Sequence, residues 1–338
     1  MAKMVDVPVT ALAAQTTKAL KLLGYSEDEA AVIQSILLYA QLRGNTQGVV
    51  KLVSNALDKS PESAAHAIST TRETQTTAVI DGYQHCGMLV LQRATDVAVA
   101  KAKTAGVSVV TCRNYCTSTG AIGYYAQEIA RNGLIGLVFS GSPELVAPTG
   151  SKMPLFGTNP LALGFPRADA SEPLVMDLAT SAISYYAVIL AKIAKTAIPA
   201  GVAVDEHGAA TTDPAAVHAI LPFGGHKGSA LALAVELLST ALAGGAIHDK
   251  DNANDWASVV IAIDPNHFQP EGFIDRVEQV LKRVKTADKM PNVKEIWLPG
   301  ERGNATFKKH VQQGSIAMEE TLWKQLQALT ASAPPSRL

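Results

Sequence analysis

The sequence predicts an α/β fold, and three observations carry the prediction. Apolar residues recur at helical spacing up to about Arg72, the period changes at Thr76 to short apolar runs alternating with helical stretches, and charged helical sequence returns after Gly303. Val9 to Leu23 is the first helix, stopped at Gly24. Ser26 followed by Glu27, Asp28 and Glu29 reads as an N-cap with acids in the first turn of a second helix, running to about Leu42. Arg43-Gly44-Asn45-Thr46-Gln47-Gly48 breaks it with two glycines, and Val49 to Leu57 resumes a short helix.

In the second region, Thr77 to Ile80 is a strand closed by the turn Asp81-Gly82, Leu89 to Ala105 is helical, and Val107 to Val110 is a buried strand. Ala121 to Asn132 is a helix and Leu134 to Phe139 a strand. Leu161 to Phe165, Leu174 to Asp177 and Ser258 to Ile263 are further strands, with a long apolar helix from Gly228 to Leu242 before the last. The expected division is a helical domain from residues 1–72 and 304–338 around an α/β core at 73–303.

Composition narrows the function. With 29 Lys+Arg against 30 Asp+Glu and a net charge of −1, the chain lacks the positive field that a phosphate backbone requires, so nucleic acid is excluded as a partner. Leu178 to Ala191 is uncharged but shorter than the about 20 apolar residues a membrane span needs. Met1 to Leu23 has neither a continuous apolar core nor a small-residue cleavage site, which gives the expectation of a cytoplasmic protein. Cys86, Cys112 and Cys116 form no CxxC pair and the eight histidines no His-x₃-His spacing, so no disulfide framework and no metal site are expected.

The usual nucleotide signatures are absent. No G-x-G-x-x-G follows a strand, and Gly224-Gly225-His226-Lys227-Gly228 lacks the spacing of a phosphate-binding P-loop. That segment is nonetheless the densest feature in the chain. Glycines opening a long helix leave its first N–H groups unpaired, and Lys227 adds charge, which suits a phosphate or carboxylate; the alternative is a glycine-rich helix start with a solvated lysine. Asn159-Pro160 marks a turn into a strand. Asp177-Leu178-Ala179-Thr180-Ser181 sits at a strand's C-terminal end, where α/β crevices bind ligands, although Asp, Thr and Ser also serve as helix caps.

Taken in order, Gly157-Thr158-Asn159-Pro160, Asp177-Leu178-Ala179-Thr180-Ser181, Gly208 with Thr211-Thr212-Asp213-Pro214, and Leu221 to Gly228 resemble the type-2 malate/L-lactate dehydrogenase family. That family includes ureidoglycolate and sulfolactate dehydrogenases and the Δ1-piperideine-2-carboxylate reductases. Phe223 and Ser229-Ala230-Leu231 look most like the cyclic-imine reductase branch. The resemblance implies a non-Rossmann NAD(P)-binding fold, a homodimer with its site near the subunit interface, and a small-molecule substrate. It implies cofactor contacts from Ser142, Asp177, Leu178 and Ala179, a glycine loop oriented by His226 with Lys227 near the phosphates, and closure by Gly300, Glu301 and Arg302. It does not decide between NADH and NADPH.

On the substrate side the chain departs from the family's Arg-Gly-x-x-Ser-His-Gly-x-x-Arg. Gln47 stands where a histidine belongs, and Lys51 replaces an arginine, keeping charge but losing the bidentate fork. Ser118 occupies the position of the histidine usually taken as the general acid. Arg43 and Lys51 are expected to hold the substrate carboxylate, with Ser118 and Gln47 giving hydrogen bonds. A ketone needs a positioned acid as hydride arrives, whereas an imine can be protonated beforehand, so losing both histidines favours a cyclic 2-imino acid over a 2-oxo acid.

Two rival readings accompany this one. An ordinary 2-hydroxyacid dehydrogenase could recruit His85 or Tyr115 as its acid, with Tyr124 and Glu144 as further candidates. A catalytically inactive relative could bind cofactor alone.

Overall fold

The computed structural model describes residues 3–248, 255–268 and 271–331. Among these, seven strands form one mixed sheet in the order β2-β3-β4-β10-β5-β6-β7. They are β2 (Ser69–Glu73), β3 (Thr77–Asp81), β4 (Val107–Tyr115), β5 (Ile135–Ser140), β6 (Leu161–Phe165), β7 (Leu174–Leu178) and β10 (Trp256–Ile263). Only β3 and β4 run parallel, joined by α4 (Gly87–Ala105) as a crossover; every other neighbouring pair is antiparallel. The sheet's centre is β10, which pairs Val260 with Val110 of β4 on one side and with Val138 of β5 on the other.

The expected second helix is α2 (Glu27–Leu42), and its start is a capping box: Ser26 Oγ accepts from Glu29 N–H at 3.2 Å while Glu29 Oε2 accepts from Ser26 N–H at 2.8 Å. It packs on α1 (Val9–Leu22). The α4 crossover ends at Gly106, whose φ of 82° only glycine adopts freely. Helix α5 (Gly123–Arg131) lies on β5 and β6 so closely that a Cβ on Gly164 would collide with the Ala126 carbonyl.

Several segments differ from the sequence expectation. Ser69–Glu73, in the stretch expected to be helical up to about Arg72, is the edge strand β2 because β3 offers it a partner, Thr70 opposite Ile80. The Val49–Leu57 helix contracts to α3 (Val50–Val53), since Asn55 turns left-handed at φ 56°. The helical stretch after Gly303 is interrupted: α9 (Glu301–Gln313) ends at Gly314, φ 68°, and Ser315–Glu319 forms β11 before α10 (Glu320–Ala331). Strand β11 pairs antiparallel with the unexpected β1 (Met4–Pro8), Val7 opposite Ile316, so the two ends of the chain meet as a ribbon. Helix α8 (Phe273–Lys285) was also unread. A short hairpin, β8 (Ala203–Val204) with β9 (Ala219–Ile220), completes the strands.

One continuous core runs from Leu12, Leu20 and Ile33 in the first helices, through Met88 and Val110, to Ile316 and Leu326. The helices of both termini pack on one another, and α2 carries that group onto α4 and α5, which cover the sheet. Among the described residues no helix is long and apolar enough to cross a membrane.

Candidate active site

A cavity of about 300 Å³ opens where the ends of β4, β5 and β7 meet the start of β10, a volume at the lower end of the range for small organic ligands. Its walls are the loop Ser118 to Ile122 after β4, Ser140 to Pro143 leaving β5, Asp177 and Ala179 at the end of β7, and Trp256. Asn45 and Gln47 enter from the loop after α2, and Ser184 to Tyr186 from the start of α6 (Tyr185–Ala194).

Several motif residues receive a physical explanation here. Asp177 Oδ2 accepts from Gly123 N–H at 2.9 Å, and a Cβ on Gly123 would come within 2.8 Å of Asp177, so the glycine is required for the close approach. Asp177 is exposed to the cavity but surrounded by protein on its other sides. Desolvation pushes its carboxyl up to about 6, against the lowering by the Gly123 bond. Ser142 Oγ accepts from Thr158 N–H at 3.0 Å, and a Cβ on Gly157 would collide with that oxygen. Asn159 is buried and donates to the Ala232 carbonyl and the Glu236 carboxylate, both at 2.9 Å, which ties the Gly157 to Pro160 turn to α7 (His226–Leu237).

The glycine loop begins directly beside this wall, because Phe223 N–H donates to the Thr180 carbonyl at 3.0 Å. Gly224 and Gly225 take φ of 56° and 61°, and a Cβ on either would meet open space. No side chain caps α7, and His226 and Lys227 are exposed at its first turn. Backbone N–H groups of an uncapped helix start, a cation beside them and a hydroxyl- and carboxylate-lined cavity alongside form a donor and acceptor set that fits a dinucleotide: anionic phosphates outside, the uncharged ring inside.

Of the residues expected from sequence, Ser118, Gln47, Ser142, Asp177 and Ala179 all line the cavity. Others do not. Lys51 is fully buried behind the wall, its Nζ donating to Ser118 Oγ at 2.7 Å and lying 3.5 Å from the Tyr186 ring centroid. It therefore does not face a substrate carboxylate directly. Arg43 also points away, for its guanidinium is sandwiched between Tyr39 and Phe307 and bonded to the Tyr39 carbonyl, Gln127 and Asn304.

His85 turns to the opposite side, where its Nε2 meets the His66 carbonyl at 2.9 Å and its Nδ1 lies 3.9 Å from Glu29. Tyr115 is completely buried; its hydroxyl bonds Ser258 Oγ at 2.6 Å, and Ser258 in turn donates to Ser140 in the cavity wall. Both are thereby removed as acids that touch substrate. Tyr124 faces Ser35, and the Cys116 thiol lies against the Gln84 carbonyl. Leu178 is exposed and absent from the lining. Gly300 abuts Val175 at the start of β7, Glu301 pairs with Lys285 at 2.8 Å, and Arg302 lies over Trp297, so this trio stands outside the cavity.

Sequence reasoning missed Tyr185, Tyr186 and Trp256, which supply the cavity's aromatic wall. The available signal was the adjacent tyrosine pair in a chain only 5% aromatic.

Comparison with known proteins agrees with this geometry. A family profile described as malate/L-lactate dehydrogenase matches residues 7–327. A malate dehydrogenase of Pyrococcus horikoshii is 33% identical over 92% of this chain and 91% of its own. A Delta(1)-pyrroline-2-carboxylate/Delta(1)-piperideine-2-carboxylate reductase of Pseudomonas syringae pv. tomato is 35% identical over 69% of this chain and 68% of its own. The crystal structure of a dehydrogenase from Sinorhizobium meliloti superposes with a TM-score of 0.88 at 32% identity, covering 97% of this chain and 98% of that one. With its mixed sheet, its cavity at the strand ends and a match along nearly its whole length, this chain is an oxidoreductase belonging to the malate/L-lactate dehydrogenase family.

Proposed function

We propose that the protein reduces a small 2-imino acid of the cyclic ketimine class, or a 2-oxo acid, by hydride transfer from NADH or NADPH. The observation that carries this reading is the cavity wall itself: where a proton donor would stand it presents Ser118 and Gln47, and no histidine is among the residues lining it. A serine or amide acting alone, with no group behind it to replace its proton, is too weak an acid at neutral pH to supply the about 10²–10⁴-fold contribution of a general acid. A ketimine protonated in solution avoids the requirement. The named activity of the Pseudomonas syringae relative supports the same class, and that of the Pyrococcus horikoshii relative supports the oxo acid.

A bound reduced nicotinamide supplies the hydride. In this reading the chain's own residues do the rest: Ser142, Asp177 and Ala179 contact the cofactor, Gly224 to Lys227 receive its phosphates, and Asn45 and Gln47, which line the cavity, give amides to the substrate's carboxylate. We assign a second copy of the chain to the exposed apolar face of α7 that carries Leu233 and Leu237, extended by Leu242 and Ile247 after it. The test is a purified-protein assay with NADH and with NADPH over cyclic ketimine carboxylates, pyruvate and oxaloacetate. Faster turnover of the ketimine is expected; efficient use of oxaloacetate or pyruvate with negligible ketimine activity would reverse the preference.

A further inference from the structure

Lys51 is a cation with no anion. Its side chain has zero exposure, and among the described residues no carboxylate pairs with it. The groups around it are the Ser118 hydroxyl from the loop after β4, the Tyr186 ring from α6 and the Cys86 thiol that leads into α4. Burying an unpaired ammonium is costly, so such a residue persists where its protonation equilibrium serves the site. Desolvation pulls it well below the ordinary lysine range, so its ammonium gives up a proton more readily than a solvated lysine does.

Ser118 connects it to the cavity. Its Oγ lies 2.7 Å from Lys51 Nζ and also accepts from Gly120 N–H at 3.1 Å. With both lone pairs engaged, the oxygen keeps its own proton to donate. The acceptors on that side are the Tyr186 hydroxyl and whatever occupies the cavity.

We propose that Lys51, acting through Ser118, is the proton source for reduction of a 2-oxo acid at this site, an inference that rests on the oxidoreductase reading above. The carbonyl carbon gains the hydride, and the C=O π pair moves onto oxygen. That oxygen takes the Ser118 hydroxyl proton as Oγ takes one from the Lys51 ammonium. Lys51 ends as a neutral amine and regains its proton from solvent after product leaves. Ser118 is the catalytic group, and Lys51 is the positioning residue that supplies it. An iminium substrate, already protonated, needs none of this.

The two substrate classes therefore separate in Lys51→Met. The ratio of oxo-acid to ketimine kcat/KM in the variant should fall at least about 100-fold relative to the parent, and the variant should unfold at the same temperature or higher. Lys51→Arg keeps a charge that is never released, and should not restore oxo-acid turnover. Equal loss on both substrates, or no loss on either, overturns the proposal. A second readout needs no turnover. In protein carrying ¹³C at lysine Cε, the resonance missing from Lys51→Met should titrate well below the other lysines and move in Ser118→Ala. Titration with the other lysines would overturn the proposal even if the parent protein reduced every compound offered. If the parent reduced none, the functional reading would fail, while a low titration that moves in Ser118→Ala would still support the Lys51–Ser118 coupling.

Discussion

At Asp177 two effects act on one carboxylate: desolvation by the surrounding protein raises its pKa to about 6, while the Gly123 N–H bond favours the charged form. The folded value lies above the unfolded one, near 3.8. Any stability linked to this proton is thus complete below about pH 4 and is lost as pH rises through about 6. Asp177→Asn preserves an acceptor for Gly123. It should unfold above the parent temperature at pH 7, by about 1 kcal/mol once screening by cavity water is allowed for, and coincide with it at pH 4. Calorimetry at the two values checks this, and loss of cofactor binding in the same variant checks the carboxylate's role. The residue scale is also where sequence reading divides most sharply. Asp177 and Ser142 were legible because they sit in ordered motifs beside glycines whose absent Cβ the structure explains. Lys51 and Arg43 were legible as cations but not as directions. Which way a long side chain turns depends on Tyr186, Tyr39 and Phe307, which are distant in sequence.

Among the elements, α7 shows what a local signal can carry. Its glycine start was readable because Gly224 and Gly225 hold backbone conformations that an L side chain resists. At Gly225 φ is 61° and ψ −124°, so Gly225→Ala should cost about 1–3 kcal/mol through backbone strain alone, since a Cβ meets no neighbour. Thermal unfolding reads that cost. Cofactor titration should show weakened binding, whereas His226→Ala should leave unfolding nearly unchanged. By contrast, β11 was hidden. Ser315 to Glu319 has no strand identity of its own, and it becomes a strand only because β1, more than 300 residues earlier, offers it a partner. The helix capped by Ser26 needed no such partner, which is why its start was visible from four consecutive residues.

For the whole molecule, a near-neutral surface with a row of exposed leucines on α7 favours self-association over binding to a charged polymer. Replacing Leu233 and Leu237 together by glutamate should shift the species in solution to half the mass by light scattering; an unchanged mass would exclude that face as the contact. The alternation of strands and helices was legible, but the order of the strands was not, because Ser258 to Ile263 reads the same at an edge as at the centre. Its position has a consequence for how the protein is made. In the strand pairing of the described residues, β2-β3-β4 and β5-β6-β7 are two half-sheets bridged by β10, and the cavity's walls leave from β4 on one side and β5 on the other. A nascent chain that has not yet released residues 256–263 carries two open edges and no assembled site. The keystone strand makes synthesis of the last quarter of the chain the step at which an enzyme first exists, and a truncation before it should yield aggregating halves instead of a weakened catalyst.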